Sequence, residues 1–73
     1  MADAAPSRRA LWFERLNRRL DLADPETRQL SHELVVIQAH FGKYAELDES
    51  ERERELERVL AGLGARAGIG PPP

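Results

Sequence analysis

Apolar residues recur along most of this chain at intervals of three and four, the spacing that turns one side of an α-helix toward a core. Leu30, Leu34, Ile37, Phe41 and Tyr44 follow one another at steps of 4, 3, 4 and 3 and fall within an arc of roughly 80°, a seam of the coiled-coil kind. Trp12, Phe13, Leu16, Leu20 and Ala23 fall within roughly 100° on a preceding helix, and Leu56, Val59, Leu60 and Leu63 form a narrower stripe on a following one. Three helices are therefore expected. The middle one carries a second apolar side, because His32, Val35, Val36 and Ala39 sit between roughly 140° and 240° from its seam, where a solvated helix shows Lys, Glu or Gln. That pattern predicts a central helix covered on two sides by two different neighbours. The third helix would complete a three-helix bundle there, or a partner protein or second copy would do so.

Capping residues place the boundaries. Ser7 is an N-cap for a helix running to about Asp21. Asp24 caps the second helix, with Pro25 at the first helical position, where its missing N–H costs nothing, and Glu26 near the positive end of the dipole. Gly42 is a candidate stop for that helix, with continuation to Ala45 the alternative. Asp48 with Glu51, or Ser50 with Glu53, has capping-box spacing, and Gly62 or Gly64 is expected to end the third helix. Only Leu22 and Ala23 separate the first helix from the Asp24 cap, a connection that predicts an antiparallel hairpin. The expected fold is all-α: a hairpin over residues 7–44 plus a third short helix at 48–62, as a three-helix bundle or a dimerising hairpin. Residues 1–6 read as a flexible leader, 7–63 as one helical domain and 64–73 as a flexible Gly/Pro tail.

Composition narrows the chemistry. A chain of 73 residues buries only about 60% of the surface its unfolded state exposes, so association would add stability. It has no cysteine, which excludes disulfides and thiolate zinc sites. His32 and His40 are eight residues apart, about 12 Å along a helix axis and on different faces, so they cannot share a metal ion. Glu26 and Glu33 share a face, but a single helix supplies no pocket for paired-carboxylate catalysis. Ser7, Ser31 and Ser50 have no base and orienting partner that the sequence can name, and no glycine-rich loop precedes a helix to hold phosphate. No catalytic, cofactor-binding or metal residue is assigned. Neither a membrane span nor a signal peptide is legible, and a cytoplasmic location is expected.

Charge is unevenly spread. Residues 1–23 hold five arginines against three acids, whereas residues 46–57 hold seven acids against two arginines. A basic helix would then attract an acidic one within the bundle or across a dimer, while Glu49–Arg52, Glu51–Arg54 and Glu55–Arg58 lace the third helix. Arg8, Arg15, Arg18 and Arg19 lie within about 100° opposite the first helix's apolar stripe, the footprint of a solvated basic face or of an acidic partner. The pI near 5.6 argues against nucleic acid, and Leu11 and Leu22 on the same face favour protein contact.

The stretch DPETRQLSHELVVIQAHF, Asp24 to Phe41, resembles the small aspartyl-phosphate phosphatases of the sporulation phosphorelay. Their helical hairpins carry a Ser-Gln-Glu-Leu-Asp signature after an Asn/Asp-Pro-Glu helix start. Here the signature reads Ser31-His32-Glu33-Leu34-Val35, with Ile37 and Phe41 in the family's aliphatic and aromatic places. The resemblance implies a response regulator as partner. In the family the signature's last residue is an acid near the phosphoaspartate; Val35 cannot orient water or accept a proton. The expectation is a non-enzymatic interaction module, regulatory or docking, that binds a protein partner or a neighbouring subunit through His32, Val35, Val36 and Ala39, with Arg8, Arg15, Arg18 and Arg19 as a charged rim. A homodimer, and a docking appendage cut from a longer protein, are variants of it. A phosphatase using Glu33 or Gln38 in place of the missing acid is the alternative.

Overall fold

All three expected N-caps are made. In the computed structural model, which describes residues 5–73, Ser7 Oγ accepts from the Ala10 N–H, Asp24 from Thr27 and Asp48 from Glu51. They open helices α1 (Arg8–Arg19), α2 (Pro25–Gln38) and α3 (Glu49–Ala67), with a short 3₁₀ turn at Gly42–Tyr44 between the last two. The fold is all-α. Most of the expected leader, residues 1–4, lies outside the described residues. No helix among those described is long and apolar enough to cross a membrane.

Helix α2 stops earlier than its seam implies. His40 takes a left-handed backbone conformation with φ 55°, its N–H donates to the Ile37 carbonyl, and the Phe41 N–H donates to the Val36 carbonyl. This is the double hydrogen bond of a Schellman cap, with histidine in the position that glycine usually occupies. Gly42, expected there, lies two residues further on. The bend carries Phe41 off the seam: it is 71% exposed, while Tyr44 is buried through the 3₁₀ turn and donates its hydroxyl to Glu33 Oε1 at 3.1 Å. A β-carbon in the left-handed region costs roughly 1–2 kcal/mol. His40→Gly is therefore expected to stabilise the protein by about 1 kcal/mol, read as a higher urea midpoint with unchanged helical circular dichroism.

The larger difference concerns which helix is central. The apolar stripe of α1 does not meet α2 in a hairpin; both helices pack chiefly on α3. The reason lies in Gly62 and Gly64, which do not end α3 but lie within it, about 200° apart around its axis. Beside Gly62 lies Leu30 of α2, whose Cδ1 would be 3.2 Å from an added β-carbon. Beside Gly64 lies Trp12 of α1, whose Cζ2 would be 2.8 Å from one. Each glycine removes a side chain where a neighbouring helix comes close, so α3 is the helix covered twice. The true stop of α3 is Gly68, at φ 75°, with the Gly68 N–H donating to Ala65 and Ile69 to Gly64.

The core consists of Trp12, Leu16, Ile37, Tyr44, Val59, Leu60 and Leu63, all at most 5% exposed. Phe13, Leu20, Leu30, Leu34, Val36 and Leu56 pack around it. Trp12 and Phe13 meet edge to face at 5.2 Å. The C-terminal residues, expected to be a loose tail from residue 64, begin as the last turn of α3 and then fold back over α1, where Trp12 Nε1 donates to the Gly70 carbonyl at 3.0 Å.

Helices α2 and α3 run antiparallel, and arginines of α3 tie the pair together. Arg66 donates to Asp24 at 2.7 Å and to Glu26 at 2.5 Å, and Arg58 reaches Glu33 at 3.5 Å. The expected attraction between basic α1 and acidic α3 is realised at one ion pair among the described residues, Arg9–Glu57. Of the three pairs expected within α3, Glu55–Arg58 forms, while Arg52 turns to His40. The Arg66 guanidinium, followed by the Thr27 hydroxyl and N–H, holds the Asp24 carboxyl below its ordinary range, and the Glu51 N–H does the same for Asp48. A carboxylate with a lowered folded pKa stabilises above its unfolded value and loses that contribution as pH falls through the folded one. Urea midpoints should therefore drop as pH falls below the ordinary aspartate range, and Asp24→Asn, which still caps but cannot titrate, should flatten that fall.

Candidate functional site

Once α3 occupies the seam of α2, the opposite side of α2 is left exposed among the described residues. His32, Val35 and Ala39 are exposed, Val35 by 61%, while Val36 is half-buried against the core. The expectation that α3 fills this face is thus overturned, because the glycines and leucines of α3 fit the other side. Steps of three and four residues align His32, Val35 and Ala39 along one helix face, and Phe41 follows the Schellman cap at the end of α2, exposed as well. Val35 and Phe41 are two of the four large hydrophobic side chains exposed among the described residues. The sequence pattern assigned Phe41 to the core, and the left-handed turn at His40 is what moves it to the surface.

The four arginines do not act together. Arg8, Glu14, Arg15 and Arg18 line an open groove on α1 together with Leu11 and Trp12, and Pro71 and Pro73 of the returning chain form its far wall. Arg19 instead borders a recess with Asp21, Asp24 and Arg66 at the junction of the three helices. No α2 residue lines the groove, so the arginines do not rim the Val35 face. The wall of prolines was not foreseen, since a chain end rich in glycine and proline carries no signal of where it docks. Leu11, unexplained by solvation, has its place here: it is 47% exposed within the groove.

The groups that could stand in for a catalytic acid are differently placed. Glu33 is half-buried, and its Oε1 accepts from the Tyr44 hydroxyl and from Arg58. Gln38 is exposed at the last turn of α2. His40 contacts Arg52 and His32 is exposed, on different faces as the spacing requires. Among the described residues no three His, Asp or Glu side chains converge as a metal site would need. What this surface offers is apolar contact bounded by polar backbone turns, suited to burial against another molecule.

Comparison with protein-family models, with curated proteins and with solved structures finds no match to this chain.

Proposed function

We propose that this chain is a helical protein-interaction module that uses the outward face of α2, with His32, Val35, Ala39 and Phe41 as its contact residues and Val36 behind them. The observation that supports this reading is the exposure of Val35 and Phe41, 61% and 71%, beside a helix end that is rigidly capped. A small domain that leaves an aromatic ring and a branched aliphatic in water forgoes stability that burial against a partner would recover. Apolar anchors on a preformed helix lose little conformational freedom on binding, which is how a helical surface of modest size gains affinity. The role is regulatory or docking, and cytoplasmic placement remains part of the proposal.

A hydrolytic role would call for a free acid or amide aimed at the bound phosphoaspartate. Glu33 is already engaged by Tyr44 and Arg58, Val35 stands where the resembled signature has its acid, and Gln38 is the exposed amide at the last turn of α2 on which that alternative would rest. The module reading therefore needs no catalytic group from this helix. Its test uses Val35→Asp, which places a charge in the contact face at an exposed position and should leave stability within about 0.5 kcal/mol of wild type. Capture from source cells with both proteins in parallel, together with sedimentation of each, should show a bound partner or a self-associated form with wild type that Val35→Asp loses. If the two proteins retain the same partners and the same mass, this face is not an interface.

A further inference from the structure

One row of acids on α3, with Arg54 beside it, extends beyond its contact with α1. Glu57 pairs with Arg9 at the start of α1, and Glu53 and Glu49 continue the same row at four-residue steps, past the point where α1 begins. Both are exposed, and neither has an ion-pair partner among the described residues. On the other side of α1, Arg8, Arg15 and Arg18 line the groove over Leu11 with Glu14 as its one acid, so the groove is net positive, and these arginines likewise form no ion pair among those residues. The chain thus carries both halves of a charge-complementary contact, and its own fold keeps them apart.

We infer that the α1 groove is a docking site for a second copy of this chain, which lays the uncovered acidic row of its α3, Glu49 and Glu53, against Arg15 and Arg18. The Arg9–Glu57 pair is the same contact made within one chain, so the chemistry of recognition is already present in the fold. The two surfaces differ, so the contact is heterologous: each copy keeps one groove and one acidic row open, and association builds chains or rings rather than stopping at a symmetric dimer. Being rim charges, they set encounter rate and salt sensitivity more than residence time. This contact is separate from the α2 face.

Sedimentation equilibrium of the full chain decides it. Wild type should gain average mass with concentration at low salt and return to monomer at high salt. Arg15→Glu/Arg18→Glu should weaken association at least about tenfold, and so should Glu49→Arg/Glu53→Arg. An equimolar mixture of the two variants should recover it, because each then supplies what the other's reversed surface requires. Circular dichroism confirms that both variants are folded; Glu49→Gln/Glu53→Gln, a milder change at the helix start, should weaken association in the same direction. A wild type that stays monomeric at low salt overturns the proposal, as does association unaffected by salt or by both charge reversals. Association abolished by Val35→Asp alone, and by neither reversal, overturns it too while leaving the α2 interface standing. A monomer that still captures a partner sensitive to Val35→Asp does the same.

Discussion

Gly64→Ala is expected to destabilise the protein by about 1–3 kcal/mol, although glycine to alanine within a helix ordinarily gains up to about 1 kcal/mol. The sign reverses because the new methyl would overlap the Gly70 carbonyl oxygen and lie 2.8 Å from Trp12 Cζ2. One obstacle is backbone and the other a ring buried to 5%, so neither can yield by a simple rotamer change. Relief requires the returning chain to lift away, which breaks the Trp12 Nε1 bond to Gly70, or α1 to move outward. Either route uncovers the only tryptophan in the sequence. Urea denaturation should show a lower midpoint, and native-state fluorescence should shift to longer wavelength. Gly62→Ala is the control. There the methyl meets Leu30 Cδ1 at 3.2 Å, the far end of a flexible side chain, so a small repacking cost offsets part of its propensity gain and stability should change by less than about 0.5 kcal/mol. The full propensity gain at both glycines would mean that α3 does not carry a neighbour on each side.

Leu60→Ala should leave the chain largely unfolded at room temperature. Leu60 is 1% exposed, at the middle of α3 and within the core that all three helices share. Truncating a buried leucine costs about 2–5 kcal/mol from lost burial and the cavity left behind. A chain of this size without disulfide or metal rarely exceeds about 3–5 kcal/mol in total. The loss therefore takes most of what there is, and helical ellipticity should fall at 25 °C (about 298 K) without denaturant. Leu22→Ala, at a position 56% exposed, should leave the unfolding midpoint nearly unmoved. A folded Leu60→Ala would mean that the core is less concentrated on α3 than its burial indicates.

The starts of the helices were legible because N-caps act locally: Ser7, Asp24 and Asp48 each satisfy an amide three residues on, and that geometry needs no tertiary partner. The ends were not. Gly62 and Gly64 read as stops because glycine stops helices more often than it thins them, and only the presence of Leu30 and Trp12 on opposite sides distinguishes the two uses. His40 reads as helical for the complementary reason, since no local signal marks a histidine that adopts a left-handed turn. With α3 taken to stop at Gly62 or Gly64, and with His32, Val35, Val36 and Ala39 giving α2 a second apolar side, α2 looked central and α3 peripheral. The stripes themselves were right for Trp12, Leu16, Ile37 and Leu60, since amphipathic spacing records that a face is buried without recording what buries it. The same limit applies to the surface. The Val35 face was visible as an apolar anomaly, whereas the groove beside Arg15 was not, because its far wall arrives from fifty-odd residues away along the chain.

With α1 anchored to α3 and the returning chain, and only slightly to α2, the molecule has a preferred order of opening. Lifting α1 sacrifices the Trp12 contacts and the Arg9–Glu57 pair while Arg66, Arg58 and Leu30 still clasp α2 to α3. Amides of the first helix should exchange with solvent through that partial release, ahead of those in the antiparallel pair. A fluctuation of this kind would bare the tryptophan side of α3 while the Val35 face kept its shape, so the two surfaces of this small protein can differ in how long they persist.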